Sequence, residues 1–193
     1  MKLIRTLLAS LALASIGVAA SASAAEYDVD GVHSSVIFKV RHNGVAPFYG
    51  RFNKVNGTFS FDAANATAAK LSFQIDVDSI FTAEKKRDDH LKSPDFFNAK
   101  QFPTITFTSR AVKAGAKPDT YTVDGDLTVR GVTKPISIEL TKTGQGKNPM
   151  GGESIGFEGT FVLNRLDYGV SYAPDGLGRD VTVIVAVEGI KKG

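Results

Sequence analysis

The sequence predicts an all-β protein, an eight-stranded antiparallel barrel with one short helix between its third and fourth strands. Two observations carry this. Eight stretches after Glu26 alternate apolar and polar residues with a period of two, as half-buried strands do, and clusters of Gly, Pro, Asp and Asn separate them. One stretch alone, residues 82–91, lacks the alternation. Closure into a barrel follows because an antiparallel sheet of this size must otherwise leave edges exposed. Eight is also the strand number whose interior can hold side chains alone or one small ligand.

In the first run Ser34, Val36, Phe38, Val40 and His42 share one face, the interior candidate, and Ser35, Ile37, Lys39 and Arg41 the other. Val55, Gly57, Phe59 and Phe61 define the second run, and Leu71, Phe73, Ile75 and Val77 the third. Thr82 to Leu91 reads as a short helix with Thr82 as its N-cap, stopped by Ser93-Pro94-Asp95. The fourth run is Ile105 and Phe107 among threonines, and the fifth is Tyr121, Val123, Gly125, Leu127 and Val129. Arg130 to Pro135 is a turn before Ile136, Ile138 and Leu140 of the sixth, and 144–152 reads as a long, glycine-rich surface loop. Ile155, Phe157, Gly159, Phe161 and Leu163 form the seventh run. Val181 to Ile190 is the eighth, apolar on both faces at its centre.

Upstream of these runs, Lys2 and Arg5 precede an apolar and small-residue stretch from Thr6 to Ala20, followed by Ser21-Ala22-Ser23-Ala24-Ala25. That is the layout of a cleavable export signal. We therefore expect residues 1–25 to be a signal peptide cut near Ala25, residues 26–193 to be one domain, and the mature protein to be periplasmic. Removing 1–25 deletes two basic residues and no acid, leaving 21 basic against 20 acidic, with basic residues scattered among acids. A balance so near zero does not suit nucleic-acid binding. The absence of cysteine excludes thiol catalysis, Cys-based zinc sites and lipid attachment at an N-terminal cysteine.

Few residues carry recognisable chemistry. Gly152-Glu153-Ser154-Ile155-Gly156 matches the esterase G-x-S-x-G pattern, but that motif needs a strand–turn–helix context and Ser154 opens a strand. The three histidines, His33, His42 and His90, could together ligate one metal, with Asp88 or Asp89, and so support an exported enzyme. Their spacing matches no recognised signature, and hydrogen bonding at a strand end or turn is the simpler reading. Arg87-Asp88-Asp89-His90 reads as a polar clamp for a head group or as a solvated helix face. The sequons at Asn56 and Asn65 are assigned no role. All thirteen phenylalanines lie in the mature part, mostly on interior faces, where they form either ordinary core or the wall of an apolar cavity. Alternation alone does not say which face is inside. An outer-membrane barrel would use the same pattern with apolar side chains outward, although no Trp and only five Tyr are present for interfacial girdles.

Several motifs occur in order along nearly the whole mature chain. They are Asp30-x-x-His33-Ser34, Phe38-x-Val40-x-His42, Gly50-x-Phe52, Ser79-Ile80, Arg87-Asp88-x-His90-Leu91, Asp95-Phe96-Phe97 and Phe102-Pro103-x-Ile105-x-Phe107. Gly125-x-Leu127-Thr128-x-Arg130-Gly131-Val132-Thr133-Lys134-Pro135 and Arg165-x-Asp167-Tyr168-Gly169-Val170 complete the set. The chain thereby resembles the YceI-like family of polyisoprenoid-binding periplasmic proteins. The resemblance implies an extended, lipocalin-like barrel whose apolar faces surround a cavity for a long-chain amphiphile, such as a polyprenyl lipid or isoprenoid quinone. The helix over 83–91 and Phe96-Phe97 would then lie near that cavity, where we expect them to act as a lid.

On that expectation the protein is a non-enzymatic binder or carrier, with the lipid as ligand and no cofactor. Candidate wall residues are Phe38, Phe59, Phe73, Phe97, Phe107 and Phe161. Candidate head-group contacts are His33, Ser34, His42, Asp88, His90 and Arg130. Expected partners are the amphiphilic lipid and, transiently, a membrane surface, with no nucleic acid. A homodimer stays open, since an outer barrel surface and a paired surface share one pattern. The competing reading is an exported enzyme with a His-based, metal-dependent site.

Overall fold

A computed structural model describes residues 24–149 and 151–193; the export-signal segment lies outside the described residues, apart from Ala24 and Ala25 at its end. Among the described residues there are eleven β-segments and one α-helix. The segments are β1 (Ala25–Val29), β2 (Ser35–His42), β3 (Ala46–Phe52), β4 (Val55–Phe61), β5 (Lys70–Asp76), β6 (Ile80–Phe81), β7 (Thr104–Ala114), β8 (Thr120–Val129), β9 (Val132–Lys147), β10 (Glu153–Asn164) and β11 (Leu177–Lys191). The helix, α1, spans Lys85–Lys92.

Pairing merges the eleven segments into eight barrel strands. β1 and β2 lie end to end on one edge of β11, from Tyr27↔Lys191 to His42↔Leu177, so they are one strand kinked at residues 30–34. The Asp30 carboxylate shapes the kink by accepting the backbone N–H groups of Val32 and His33. β3 and β4 form the second strand, pairing with β2 and β1 in turn. β5 and β6 form the third, broken by a 3-10 turn over Val77–Ser79 that Asp76 caps. β7 to β11 follow as an up-and-down meander, and the β11 pairings with β1 and β2 close the barrel. This is the eight-stranded barrel that the alternation predicts.

Local chemistry explains most departures from the sequence reading. β1 and β3 were not expected as strands; Pro47 and Gly50 give β3 the look of a turn, yet both positions pair with β2, Pro47 with Arg41 and Gly50 with Phe38. The helix is capped by Glu84, whose carboxylate accepts the Lys86 N–H, and not by Thr82. Ala83 has φ +61°, a left-handed step that breaks the chain direction between Thr82 and the helix. Thr82 is turned inward instead, its hydroxyl accepting from Arg87 Nε and donating to Asp88. Residues 144–147 belong to β9, so the expected nine-residue loop is shorter, with Asn148 N–H bonded to the Gly152 carbonyl across its base. Between β8 and β9 the turn is only Arg130-Gly131, both at positive φ (+50° and +75°), the twist a two-residue hairpin requires.

Apolar faces point inward and charges outward. Outward strand positions carry the pairs Arg110–Asp126 and Lys113–Asp124. A lipid-facing belt does not tolerate charges at such positions, which removes the support for a membrane barrel.

A candidate lipid cavity inside the barrel

A cavity of about 230 Å³ runs along the barrel interior. Its wall comes from alternate residues of every barrel strand, including Val36, Phe38 and Val40 of β2 and Val181, Val183, Val185 and Val187 of β11. The β11 valines are only half-buried despite facing inward, because their side chains border the cavity and not a filled core. At one end, which we call the floor, an aromatic cluster packs across the barrel. Phe61 meets Tyr121 and Phe157 edge-on at 5.0 and 5.1 Å between ring centroids, and Phe59 meets Phe157 at 5.9 Å.

The opposite end, the top, is built differently. β6 pairs with β3 but not with β7, which begins at Thr104 opposite Asp76. Residues 82–103 cover the gap in the wall, and Leu91, Phe96 and Phe97 from this segment line the cavity. Phe97 packs edge-on against Phe52 of β3 at 5.7 Å. On the outside, the His90 ring meets Phe96 at 5.0 Å and Tyr172 at 4.9 Å, tying α1 to the connection between β10 and β11. Arg130 joins the same region, donating to the carbonyls of Pro94 and Gly169, while its buried Nε has no hydrogen-bond partner.

The connection between β10 and β11 is organised around Arg165. This residue is 5 % exposed and lines the cavity. Its five N–H donors reach five backbone carbonyls: Nε donates to Gly178, Nη1 to Val170 and Tyr172, and Nη2 to Ala173 and Leu177. No carboxylate forms an ion pair with it among the described residues. Burial away from water pulls its pKa below the ordinary arginine value, yet a guanidinium stays charged in proteins. Arg165 is thus the one charged side chain on an otherwise apolar and aromatic wall that also includes the Ser60 hydroxyl.

All six phenylalanines proposed for the wall, Phe38, Phe59, Phe73, Phe97, Phe107 and Phe161, line the cavity. None of the six polar candidates does. His33 is exposed and pairs through Nδ1 with Asp30 at 2.7 Å, on the outside of the kink. Ser34 is buried, but its Oγ accepts the Glu188 N–H and so holds the kink to β11. His42 keeps the expected parity with Phe38 and Val40, yet it stands at the exposed end of β2, beyond the lined part of the barrel. Asp88 accepts from the Thr82 backbone, and His90 hydrogen-bonds Asp95 at 2.9 Å, so both serve the local structure of α1. Arg130 spends two donor groups on backbone carbonyls.

The histidines do not assemble one metal site either. His33 and His42 are nine residues apart on nearly continuous strand, about 30 Å at about 3.3 Å per residue. Nor is Ser154 a nucleophile elbow, since it lies within β10, paired with Gly146 and Ile190. Sequence reasoning missed Arg165 and Tyr168 as cavity residues, although both stand in a recognised motif. The available signal was an arginine directly after a strand whose alternate residues are all apolar or glycine.

Comparison with known proteins agrees with this architecture. A UPF0312 protein of Pseudomonas aeruginosa is 39 % identical over 193 residues, covering 98 % of this chain and all of the relative. One from Yersinia enterocolitica is 40 % identical over 189 residues, covering 97 % of each. Among solved structures, Burkholderia cenocepacia BcnA superposes with a TM-score of 0.76 at 26 % identity, covering 83 % of this chain and 98 % of that one. A YCEI protein of Campylobacter jejuni gives 0.68 at 32 % identity over 75 % and 85 %. A domain from Saccharophagus degradans described as polyisoprenoid-binding gives 0.70 over 88 % and 99 %, at 16 % identity, a likeness of fold. With the YceI-like domain matched over residues 27–189, the chain belongs to the YceI-like family.

Proposed function

We propose that this protein binds one long-chain amphiphile of the isoprenoid class, a polyprenyl lipid or isoprenoid quinone, inside the barrel and carries it through the periplasm. The observation that carries the reading is the continuous apolar wall from the aromatic floor to the segment over 82–103. A 12-residue strand such as β10 is about 40 Å long, and a tilt of about 35–45° leaves about 30 Å along the barrel axis. That suits an extended hydrocarbon chain better than a compact ligand. The fold likeness to a polyisoprenoid-binding domain supports the same ligand class. Carriage in the periplasm rests on the signal-like segment before Ala25.

Transfer energetics make a carrier plausible in physical terms. Burying a chain is worth about 0.8 kcal/mol per CH₂ relative to water, but a lipid already in a bilayer has that stabilisation. Tail burial is therefore nearly neutral between membrane and barrel, and a carrier can both load and unload. Native mass spectrometry of protein purified gently from the periplasm tests the reading. An apolar adduct that exchanges with added polyprenyl lipid is expected. Protein that carries no adduct and takes up no isoprenoid lipid after delipidation would overturn it.

A further inference from the structure

We propose that Asp30, His33 and Glu188 form a site on the outer wall of the barrel for one divalent metal ion of the borderline class, such as zinc. The ion fastens the seam that closes the sheet. The site lies outside the lipid cavity and stands apart from the lipid-binding reading.

The three residues converge from segments far apart in the chain. One ligand atom from each, an imidazole nitrogen and two carboxylate oxygens, lies within 4.8 Å of both others. Metal–ligand bonds of about 2.0–2.2 Å set neighbouring ligands about 3–3.5 Å apart, so side-chain movements on the order of 1 Å close the group on an ion. Backbone geometry brings the residues there. The kink over 30–34 stays bonded to Glu188, whose carbonyl accepts the Asp30 N–H at 2.8 Å and whose N–H donates to Ser34 Oγ at 3.0 Å. Glu188 has the parity opposite to the cavity-lining Val185 and Val187, so its side chain leaves the outer face, beside the exposed His33. The Val32 and His33 N–H groups fix Asp30 Oδ1, which leaves Oδ2 aimed at His33 Nδ1 at 2.7 Å.

Charge balance favours a cation at this place. Asp30 and Glu188 are both half-buried, and among the described residues neither forms an ion pair with Lys or Arg. With the imidazole neutral, two negative charges stand at close range, and a divalent ion cancels them. The ion takes the place of the proton between Asp30 Oδ2 and His33 Nδ1, the ring keeping its Nε2 proton. A mixed nitrogen and oxygen set suits zinc and its neighbours, whereas Mg²⁺ and Ca²⁺ prefer oxygen alone. Asp30 and His33 belong to the kink between β1 and β2, and Glu188 belongs to β11, so the ion bridges the pairing that closes the barrel.

Isothermal titration of chelator-treated protein with ZnCl₂ tests the site, with circular dichroism checking that each variant is folded. Wild type should take up one Zn²⁺ per chain and bind it at least about tenfold more tightly than Mg²⁺. Losing even an outer-shell partner weakens a metal site about 10–100-fold, so Glu188→Gln and His33→Gln should each weaken zinc binding about tenfold or more. His42→Gln and His90→Gln should leave it unchanged. Because the ion bridges the closing seam, zinc at roughly a hundredfold excess over Kd should raise Tm by about 5–10 °C in wild type and leave Glu188→Gln unmoved. Absence of zinc uptake, Mg²⁺ binding as tight as Zn²⁺ binding, or a zinc affinity unchanged in either Glu188→Gln or His33→Gln overturns the proposal. Zinc binding without a rise in Tm overturns the fastening of the seam.

Discussion

Replacing Arg165 by methionine should unlock the connection between β10 and β11, at a loss that follows from the hydrogen bonds. The guanidinium donates to Val170 at 2.7 Å, to Tyr172, Leu177 and Gly178 at 2.9 Å, and to Ala173 at 3.3 Å. Tyr172 is exposed, so its carbonyl finds water once the arginine is gone, and the Ala173 bond is long and weak. Val170, Leu177 and Gly178 are buried or half-buried. Each of these carbonyls loses its partner at about 1–3 kcal/mol. Removing a desolvated cation offsets part of this, as replacement of buried charges by apolar side chains shows elsewhere. The balance is a loss of about 3–5 kcal/mol, the range seen when a buried charged network is broken. For a domain of this size that lowers Tm by on the order of 10 °C. Urea unfolding followed by far-UV circular dichroism should show a lower midpoint with an unchanged slope. Arg165→Lys should fall between, because three donors on one tetrahedral nitrogen cannot reach five carbonyls. A methionine variant within about 1 kcal/mol of wild type, below the worth of even one of these bonds, would refute the view that Arg165 organises the connection.

Three further outcomes follow from the geometry. Val183 lines the cavity and its neighbour Ile184 does not, so Val183→Phe should reduce lipid uptake at least tenfold while Ile184→Phe leaves it unchanged; isothermal titration with a polyprenyl lipid compares them, and equal effects would contradict the inward parity of β11. A Cβ added at Gly125 would lie 2.5 Å from Phe107 and 2.6 Å from the Thr108 carbonyl, so Gly125→Ala should destabilise by about 1–3 kcal/mol in denaturant titration, and a neutral result would mean that β7 and β8 approach less closely than described. The hydrogen bond to Asp30 raises the His33 pKa above its ordinary 6.5, and the same bond lowers Asp30 below 3.8. The His33 contribution to stability is therefore full below pH 6.5 and lost as pH rises through the elevated native value, while that of Asp30 is present above pH 3.8 and lost as pH falls through the lowered one. An NMR titration should find His33 above its ordinary value in wild type and returned toward it in Asp30→Asn; an unshifted His33 would show the pair absent in solution.

How far the sequence was legible depended on whether the signal was local. Each barrel strand of the second half, β7 to β11, is continuous, and its side-chain period can be read without knowing its neighbours. The first three barrel strands are each broken, at residues 30–34, at Asn53-Lys54 and at Val77–Ser79. There the alternation shows only one piece of each, because β1 and β6 are short and β3, as long as β4, carries Pro47 and Gly50; all three become strands by pairing with β11, β3 and β2 respectively. The six wall phenylalanines could be named because parity on a strand sends a side chain to one face wherever the barrel closes. The six polar candidates could not be placed that way. His33 and Ser34 sit on a kink, Asp88 and His90 on a helix, Arg130 on a turn, and His42 at a strand end, where parity no longer decides what a side chain meets.

By itself, then, the sequence determined the strand class, the number of barrel strands, the position of the helix and the residues of the apolar wall. All of these follow from periods and turn chemistry within a few residues. Only the tertiary structure decided that residues 82–103 complete the wall where β6 and β7 part, and that Arg165 gathers five carbonyls around one buried charge. Each of these depends on segments far apart in the chain being brought together by barrel closure, and a local period carries no record of which distant backbone will come to lie across from it.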